Sequence, residues 1–190
     1  MRAAVSAKGV TVVDALEELI DVAEFVNLFG FPQAPGLGVI GESGALSALL
    51  LDYCDEHGVA LPEPEGATAE QLAAMAPGFI NAANPLDLTA QAMINPDIYT
   101  MSLAAMGADP RIGVMMLAIS LTSPAMARRK APPILDILAR DKPAKPLIFS
   151  MVGDLSHPVL PLARTGGSRG RATGSRPPER RRTGASLGIS

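Results

Sequence analysis

The stretch GLGVIGESGALSALLLDYCDEHGV, residues 36–59, decides how this sequence is read. Its apolar burst, Leu37 to Ile40, has the composition of a buried strand. The small polar loop GESG follows at 41–44. Leu46, Leu49, Leu50, Tyr53 and Cys54 then recur at the i, i+3, i+4, i+7, i+8 spacing of a helix packed on a sheet, running from Gly44 to about His57. Gly58 suits the left-handed residue that closes such a helix. Strand, tight loop and helix together point unpaired amides and the positive end of a helix dipole toward an anion at the carboxyl end of the strand. Gly41 and Gly44 let a backbone come close to a phosphate, and Ser43 adds a hydroxyl donor. Glu42 opposes this unless its carboxylate turns outward. The same four residues also read as a plain turn with Ser43 as N-cap. The loop is no Walker motif and lacks GxGxxG spacing.

Outward from this unit, VVDALEELIDVAEFVNLFG (12–30) reads as a helix, with Asp14 as its N-cap and Gly30 as its stop. Its face is Leu16, Leu19, Ile20, Ala23 and Val26. The two prolines of FPQAPG (31–36) mark a linker. Downstream, VAL (59–61) reads as a second strand, and Thr68 to Gln71 has capping-box spacing ahead of a short helix through Met75. INAANPLDLTAQAMINP (80–96) reads as irregular, with Asn84 and Asp87 flanking a proline in a loop that caps a helix or orients a ligand. A helix over 97–105, a strand in RIGVMMLAIS (111–120), a helix interrupted at Pro132 and Pro133, and a last strand in KPLIFSMVG (145–153) complete the order. Strands alternating with helices predict an α/β fold: a doubly wound parallel sheet. The pattern stops short of a further helix, as if truncated. The expected division is an N-terminal helix and linker (1–35), a sheet domain (36–163) and a tail (164–190).

Hydrophobic residues make up 48% of the 190 and charged residues 18%, which excludes a wholly disordered chain. The N-terminus meets acidic residues before any long apolar run, so it does not read as a secretory signal, and GVMMLAISL is too short to span a bilayer. Cys54 is the only cysteine, which rules out an intramolecular disulfide and fits the cytoplasm. It lies on the apolar stripe and reads as core. His57 ends a helix, where a cation suits the dipole. His157, near Asp154, reads as a surface loop residue, and the two histidines make no metal site. Arg128, Arg129 and Lys130 read as a solvated helix face. From Arg164 onward there are seven arginines against one acid, Glu179, while the rest of the chain is acidic. That segment, poor in apolar residues and rich in Gly, Ser and Pro, is expected to be disordered.

Taken in order, these pieces resemble the NDP-forming acyl-CoA synthetases, the succinyl-CoA-synthetase-like ligases that include acetate–CoA ligase (ADP-forming). The resemblance rests on the helix GVTVVDALEELIDVAEF (9–25), a strand with a GESG loop where the family has SGG or AGG, and LPE (61–63). It continues through NPLDLT (84–89), ADPRIGVMMLAIS (108–120) and AKPLIFSMVGD (144–154), covering about Gly9 to Pro158. NPLDLT is its most specific piece. The resemblance implies the flavodoxin-like CoA-ligase domain of enzymes that join a carboxylic acid to CoA through an acyl phosphate and a phosphohistidine. It further implies phosphate or CoA contacts at Ser43, Gly44, Ala45, Asn84 and Asp87. CoA and ATP/ADP with Mg are cofactors of the full enzyme, and the CoA-binding/phosphohistidine and ATP-grasp domains are partners. The family's catalytic histidine and its ATP-grasp segment have no counterpart in this sequence, so no catalytic residue is assigned, and nucleic acid is not an expected partner. Ala45 stands where the family often has a second glycine. A non-catalytic flavodoxin-like module, or a truncated gene product, is the alternative.

Overall fold

The computed structural model describes residues 7–140 and 143–153. The elements in chain order are α1 (Leu16–Phe29), β1 (Gly36–Gly41), α2 (Gly44–Glu56), α3 (Gly66–Met75), β2 (Leu86–Asp87), α4 (Gln91–Ile94), α5 (Asp97–Gly107), β3 (Ile112–Leu121), α6 (Pro124–Arg140) and β4 (Leu147–Gly153). The four strands form one parallel sheet in the order β2-β1-β3-β4. This is the flavodoxin-like order, with the reversal of direction falling beside β1. The expected α/β fold is therefore present. Asp154, His157 and the Arg-rich tail lie outside the described residues.

The main core lies on one sheet face. Ile40, Met115, Leu117, Ile119 and Leu147 point into it and pack under Leu72 of α3, Leu103 and Met106 of α5, and Ile134 of α6. On the opposite face, strand alternation places Val39 and Ala118, both buried, beside Leu37, Val114, Met116 and Ile148, which are half-buried. An apolar cleft of about 560 Å³ opens there between the strand starts, Phe25 of α1 and the linker.

Two features of the helices depart from the reading of the sequence. The α2 stripe is only partly used: Cys54 is buried, but Leu49 and Tyr53 are 66% and 59% exposed. In α1, Ala15 holds the N-cap position rather than Asp14, whose backbone N–H donates to Glu18 Oε2 at 2.8 Å. No α1 residue is fully buried, and Leu16, Leu19 and Ile20 are exposed. Gly30 does stop α1, with φ 75°, and Gly58 takes φ 64° after α2.

The second strand also departs from expectation. VAL forms no strand; it runs beside the start of β1 with one bond, Leu37 N–H to Ala60 O at 2.9 Å. The partner of the end of β1 is Leu86–Asp87, inside NPLDLT, in register Ile40 to Leu86 and Gly41 to Asp87. Between these two pieces the edge of β1 would lack partners, and the side chain of Asn84 fills the gap. Its Oδ1 accepts from Val39 N at 2.9 Å, and its Nδ2 donates to Leu37 O at 2.8 Å and Pro62 O at 3.1 Å. Asn84 is 1% exposed, so without it these backbone groups would sit dry and unpaired.

At the amino edge of the sheet, glycine permits a close crossing. A Cβ on Gly113 would stand 1.9 Å from Ala34 O, so the linker can pass only over a bare backbone. The register skips Gly113 at this point, pairing Gly36 with Ile112 and Leu37 with Val114. Alongside, Asp109 is buried and bound by Arg111 through Nη2 at 2.7 Å, and Arg111 reaches on to Glu65 at 2.7 Å and Glu63 O at 2.7 Å. Lys145 donates to the carbonyls of Asp109 and Ile112. The hydrogen bond from Arg111 holds the Asp109 carboxyl below its ordinary 3.8, against the upward push of burial.

Two outcomes follow from these interactions. Asn84→Ala should lower unfolding free energy by about 3 kcal/mol, since it strands several buried backbone groups at about 1–3 kcal/mol each. Denaturant melts check this, and Asn84→Asp should not rescue it, because Oδ2 cannot donate to Leu37 O. For Asp109, a depressed folded pKa gives stabilisation that is fully present above the unfolded value. That contribution disappears as pH falls below about 4 and through the folded pKa. The stability gap between wild type and Asp109→Asn should therefore close on acidification, as followed by melts across that range.

Candidate functional site

At the carboxyl edge of the sheet, β1 ends at Gly41 and the chain turns through Glu42 and Ser43 into α2. Ser43 is extended, with φ −152° and ψ 121°, and occupies the N-cap position, although its hydroxyl makes no cap bond. The first helical bond runs from Ser47 N–H to Ser43 O at 2.9 Å. The amides of Gly44, Ala45 and Leu46 precede it and have no acceptor within the helix. Gly44 and Ala45 are exposed and Ser43 is half-buried, so this end of α2 is open to an approaching group.

NPLDLT supplies the neighbouring wall. Leu88 N–H donates to Gly41 O at 2.9 Å, which sets Asp87 beside the loop. Asp87 Oδ1 accepts from Thr89 N at 2.8 Å and holds Thr89 at φ 54°, a left-handed conformation unusual for a β-branched residue. The other oxygen, Oδ2, faces Gly44; a Cβ there would lie 3.4 Å from it. A carboxylate at this helix end complements the dipole and competes with any incoming anion. Of the five residues singled out from sequence, Ser43, Gly44, Ala45 and Asp87 thus meet at one point. Asn84 lies behind them, its amide taken up by the β1 edge.

Glu42 does not turn outward. It points into the protein, where Oε2 pairs with Lys130 Nζ and Oε1 accepts from the Tyr99 hydroxyl. The Glu42 and Lys130 side chains are only 6% and 9% exposed. Lys130 also donates to Ser120 O at 3.2 Å, at the end of β3. Its charge is thereby spent on a buried partner, and the loop is free of the repulsion that the sequence suggested. Arg128 and Arg129 are exposed as expected, but Lys130 is not part of a solvated face. Its spacing shows why: with Ala127, Ala131 and Ile134 it falls on the buried stripe of α6. Burial first, and then the hydrogen bond with Glu42, carries the Tyr99 hydroxyl far above its ordinary value of 10.0, so it remains a donor.

The remaining candidates are structural. His57 is exposed at the end of α2, with Nδ1 2.9 Å from Tyr53 O and its ring stacked on Tyr53 at 4.1 Å. Cys54 is buried, which raises its thiol pKa. Among the described residues no group of three or more His, Cys, Asp or Glu side chains is placed to hold a metal ion.

No family model matches the chain. Individual proteins do. Over 154 residues it is 34% identical to trans-feruloyl-CoA synthase FCS1 of an unknown prokaryotic organism, a match spanning 81% of this chain and 22% of that protein. Over 122 residues it is 27% identical to ADP-forming acetate–CoA ligase I of Archaeoglobus fulgidus, spanning 64% of this chain and 17% of that one. Among solved structures, the apo form of the dinucleotide-forming acetyl-coenzyme A synthetase 1 of Ca. Korarchaeum cryptofilum superposes with a TM-score of 0.69 at 21% identity. That likeness covers 90% of this chain and 37% of the other. The chain spans about a fifth of the length of the curated relatives it matches. Sheet order and the likeness to solved structures together define a flavodoxin-like α/β unit. Over most of its length the chain is similar to one segment of these proteins, a trans-feruloyl-CoA synthase and an ADP-forming acetate–CoA ligase.

Replacing Glu42 with Gln should destabilise the fold by about 3–5 kcal/mol, because the Lys130 ammonium is left buried without its counter-charge. Pairing that change with Lys130→Met should recover most of the loss in the same denaturant melts.

Proposed function

We propose that this chain is the CoA-ligase-type segment of a multidomain acyl-CoA synthetase, supporting the ligation of a carboxylic acid to CoA through an acyl phosphate and a phosphohistidine. The observation that carries this reading is the 34% identity to trans-feruloyl-CoA synthase over 154 residues. The local chemistry supports it. A phosphate at the carboxyl edge of β1 would meet the amides of Ser43, Gly44 and Ala45 and the Ser43 hydroxyl, at the positive end of the α2 dipole. Asn84 holds the edge of β1 that presents the loop, and Asp87 sets how much negative charge the helix end will accept.

CoA, and ATP/ADP with Mg, act at the level of the full enzyme. One relative by fold is described in complex with phosphate and ADP. The open amides suit a single phosphoryl or phosphate group. The phosphohistidine and the ATP-grasp function come from CoA-binding/phosphohistidine and ATP-grasp domains acting as partners. No described helix is long and apolar enough to cross a membrane. We assign the protein to the cytoplasm, where Cys54 stays a thiol.

Amide NMR tests the reading. Phosphate or CoA added to the chain should shift residues 41–46 before any others. Ser43→Ala should weaken that response, and Asp87→Asn should strengthen it by removing the competing charge. Amides that stay unmoved at high millimolar phosphate and CoA, in a protein whose spectrum is otherwise intact, would remove the support for a phosphate site. The chain by itself should show no sustained turnover with acid, ATP and CoA.

A further inference from the structure

The Glu42–Lys130 pair joins residues 88 positions apart in sequence, one in the β1–α2 loop and one in α6. Both ends of this link are weakly held by anything else. In α6, Pro132 and Pro133 have no N–H to offer the carbonyls of Arg128 and Arg129, so two rungs of the helix are missing just beyond Lys130. That helix is docked by Ala127, Ala131, Ile134 and the half-buried Leu138, by Lys130, and by an exposed Arg140–Asp97 pair at 3.6 Å, the last of which contributes little. On the loop side, the Ser43 hydroxyl makes no cap bond and α2 buries only Cys54.

We propose that α6 and the β1–α2 loop open and close as one cooperative unit, with the buried Glu42–Lys130 pair as the joint between them. If α6 lifts from the sheet, Lys130 leaves with it. Glu42 then becomes a buried carboxylate with only the Tyr99 hydroxyl for company. The cost of keeping that charge dry drives Glu42 toward water and takes Ser43 and the start of α2 with it. Tyr99 remains behind, because α5 is anchored in the core by Leu103 and Met106. Coupling of this kind is reciprocal: whatever settles the loop also holds α6 down, and a contact that pulls on α6 loosens the loop.

Native-state hydrogen exchange of the full chain, read by NMR across sub-denaturing urea, tests it. Ser47, bonded to Ser43 O, reports on the loop; Ile134 reports on α6 and Leu117 on the central sheet. In the wild type, Ser47 and Ile134 should share one opening free energy and one urea dependence, both below those of Leu117. Lys130→Met should speed exchange at Ser47 by about a hundredfold more than at Leu117. Glu42→Gln/Lys130→Met, with no charge to strand, should restore protection at Ser47 while its urea dependence separates from that of Ile134. Different opening energies for Ser47 and Ile134 in the wild type would overturn the proposal, as would an equal effect of Lys130→Met on Ser47 and Leu117. The wild-type comparison decides the matter even if the single variant does not fold.

Discussion

The sheet depends on a side chain doing the work of a strand. β1 is the inner strand at which the order reverses, and its outer edge is met first by Ala60 and last by Leu86–Asp87. The space between them is closed by the carboxamide of Asn84, which has the donor and acceptor of a peptide group and presents both to β1. A third bond, to Pro62 O, ties in the incoming segment as well. Register at this edge is thus set from one position. Since Asp87 lies three residues further on, the same anchor determines how a carboxylate comes to stand at the start of α2.

The two edges of the sheet use charge differently. At the amino edge, Arg111 and Lys145 donate to carbonyls and Arg111 also pairs with Asp109 and Glu65, fastening the starts of β3 and β4 and the entry to α3. These groups knit backbone and offer little to a ligand. At the carboxyl edge, the Glu42–Lys130 ion pair lies beneath the surface, and what the loop presents outward is small: Ser43, Gly44 and Ala45. Carboxyl-edge placement of ligands in open α/β sheets follows from helix dipoles and free amides gathering there. Here the buried Glu42–Lys130 pair keeps the Glu42 carboxylate away from that edge, and Asp87 is the carboxylate that faces the start of α2.

Much of this architecture was legible in the sequence. The apolar runs of β1, β3 and β4 and the periodic helices are local signals, and local signals determined those elements. The two-residue β2 was not legible, because its strand character comes from pairing with Ile40 and Gly41 rather than from any run of its own. VAL looked more like a strand than Leu86–Asp87 does, yet it makes a single bond to β1. For the loop, residue types revealed the amides but misjudged Glu42, whose direction is decided by Tyr99 and Lys130, residues distant in the chain. A charge is read as solvated unless its partner is known. The stripe through Ala127, Lys130 and Ile134 was the available clue.

The crossing of the linker over Gly113 has a mechanical consequence. Residues 31–35 contain two prolines, and at their end the chain is clamped: Ala34 lies against the bare backbone of β3, and Gly36 N–H is bonded to Arg111 O at 3.1 Å. A linker held in this way is a stiff arm rather than a leash. Force applied along α1 would be delivered to the starts of β1 and β3 together, at the bulge, instead of being lost in slack chain. With Leu16, Leu19 and Ile20 facing solvent on that arm, whatever seats against α1 gains leverage on the two central strands of the sheet.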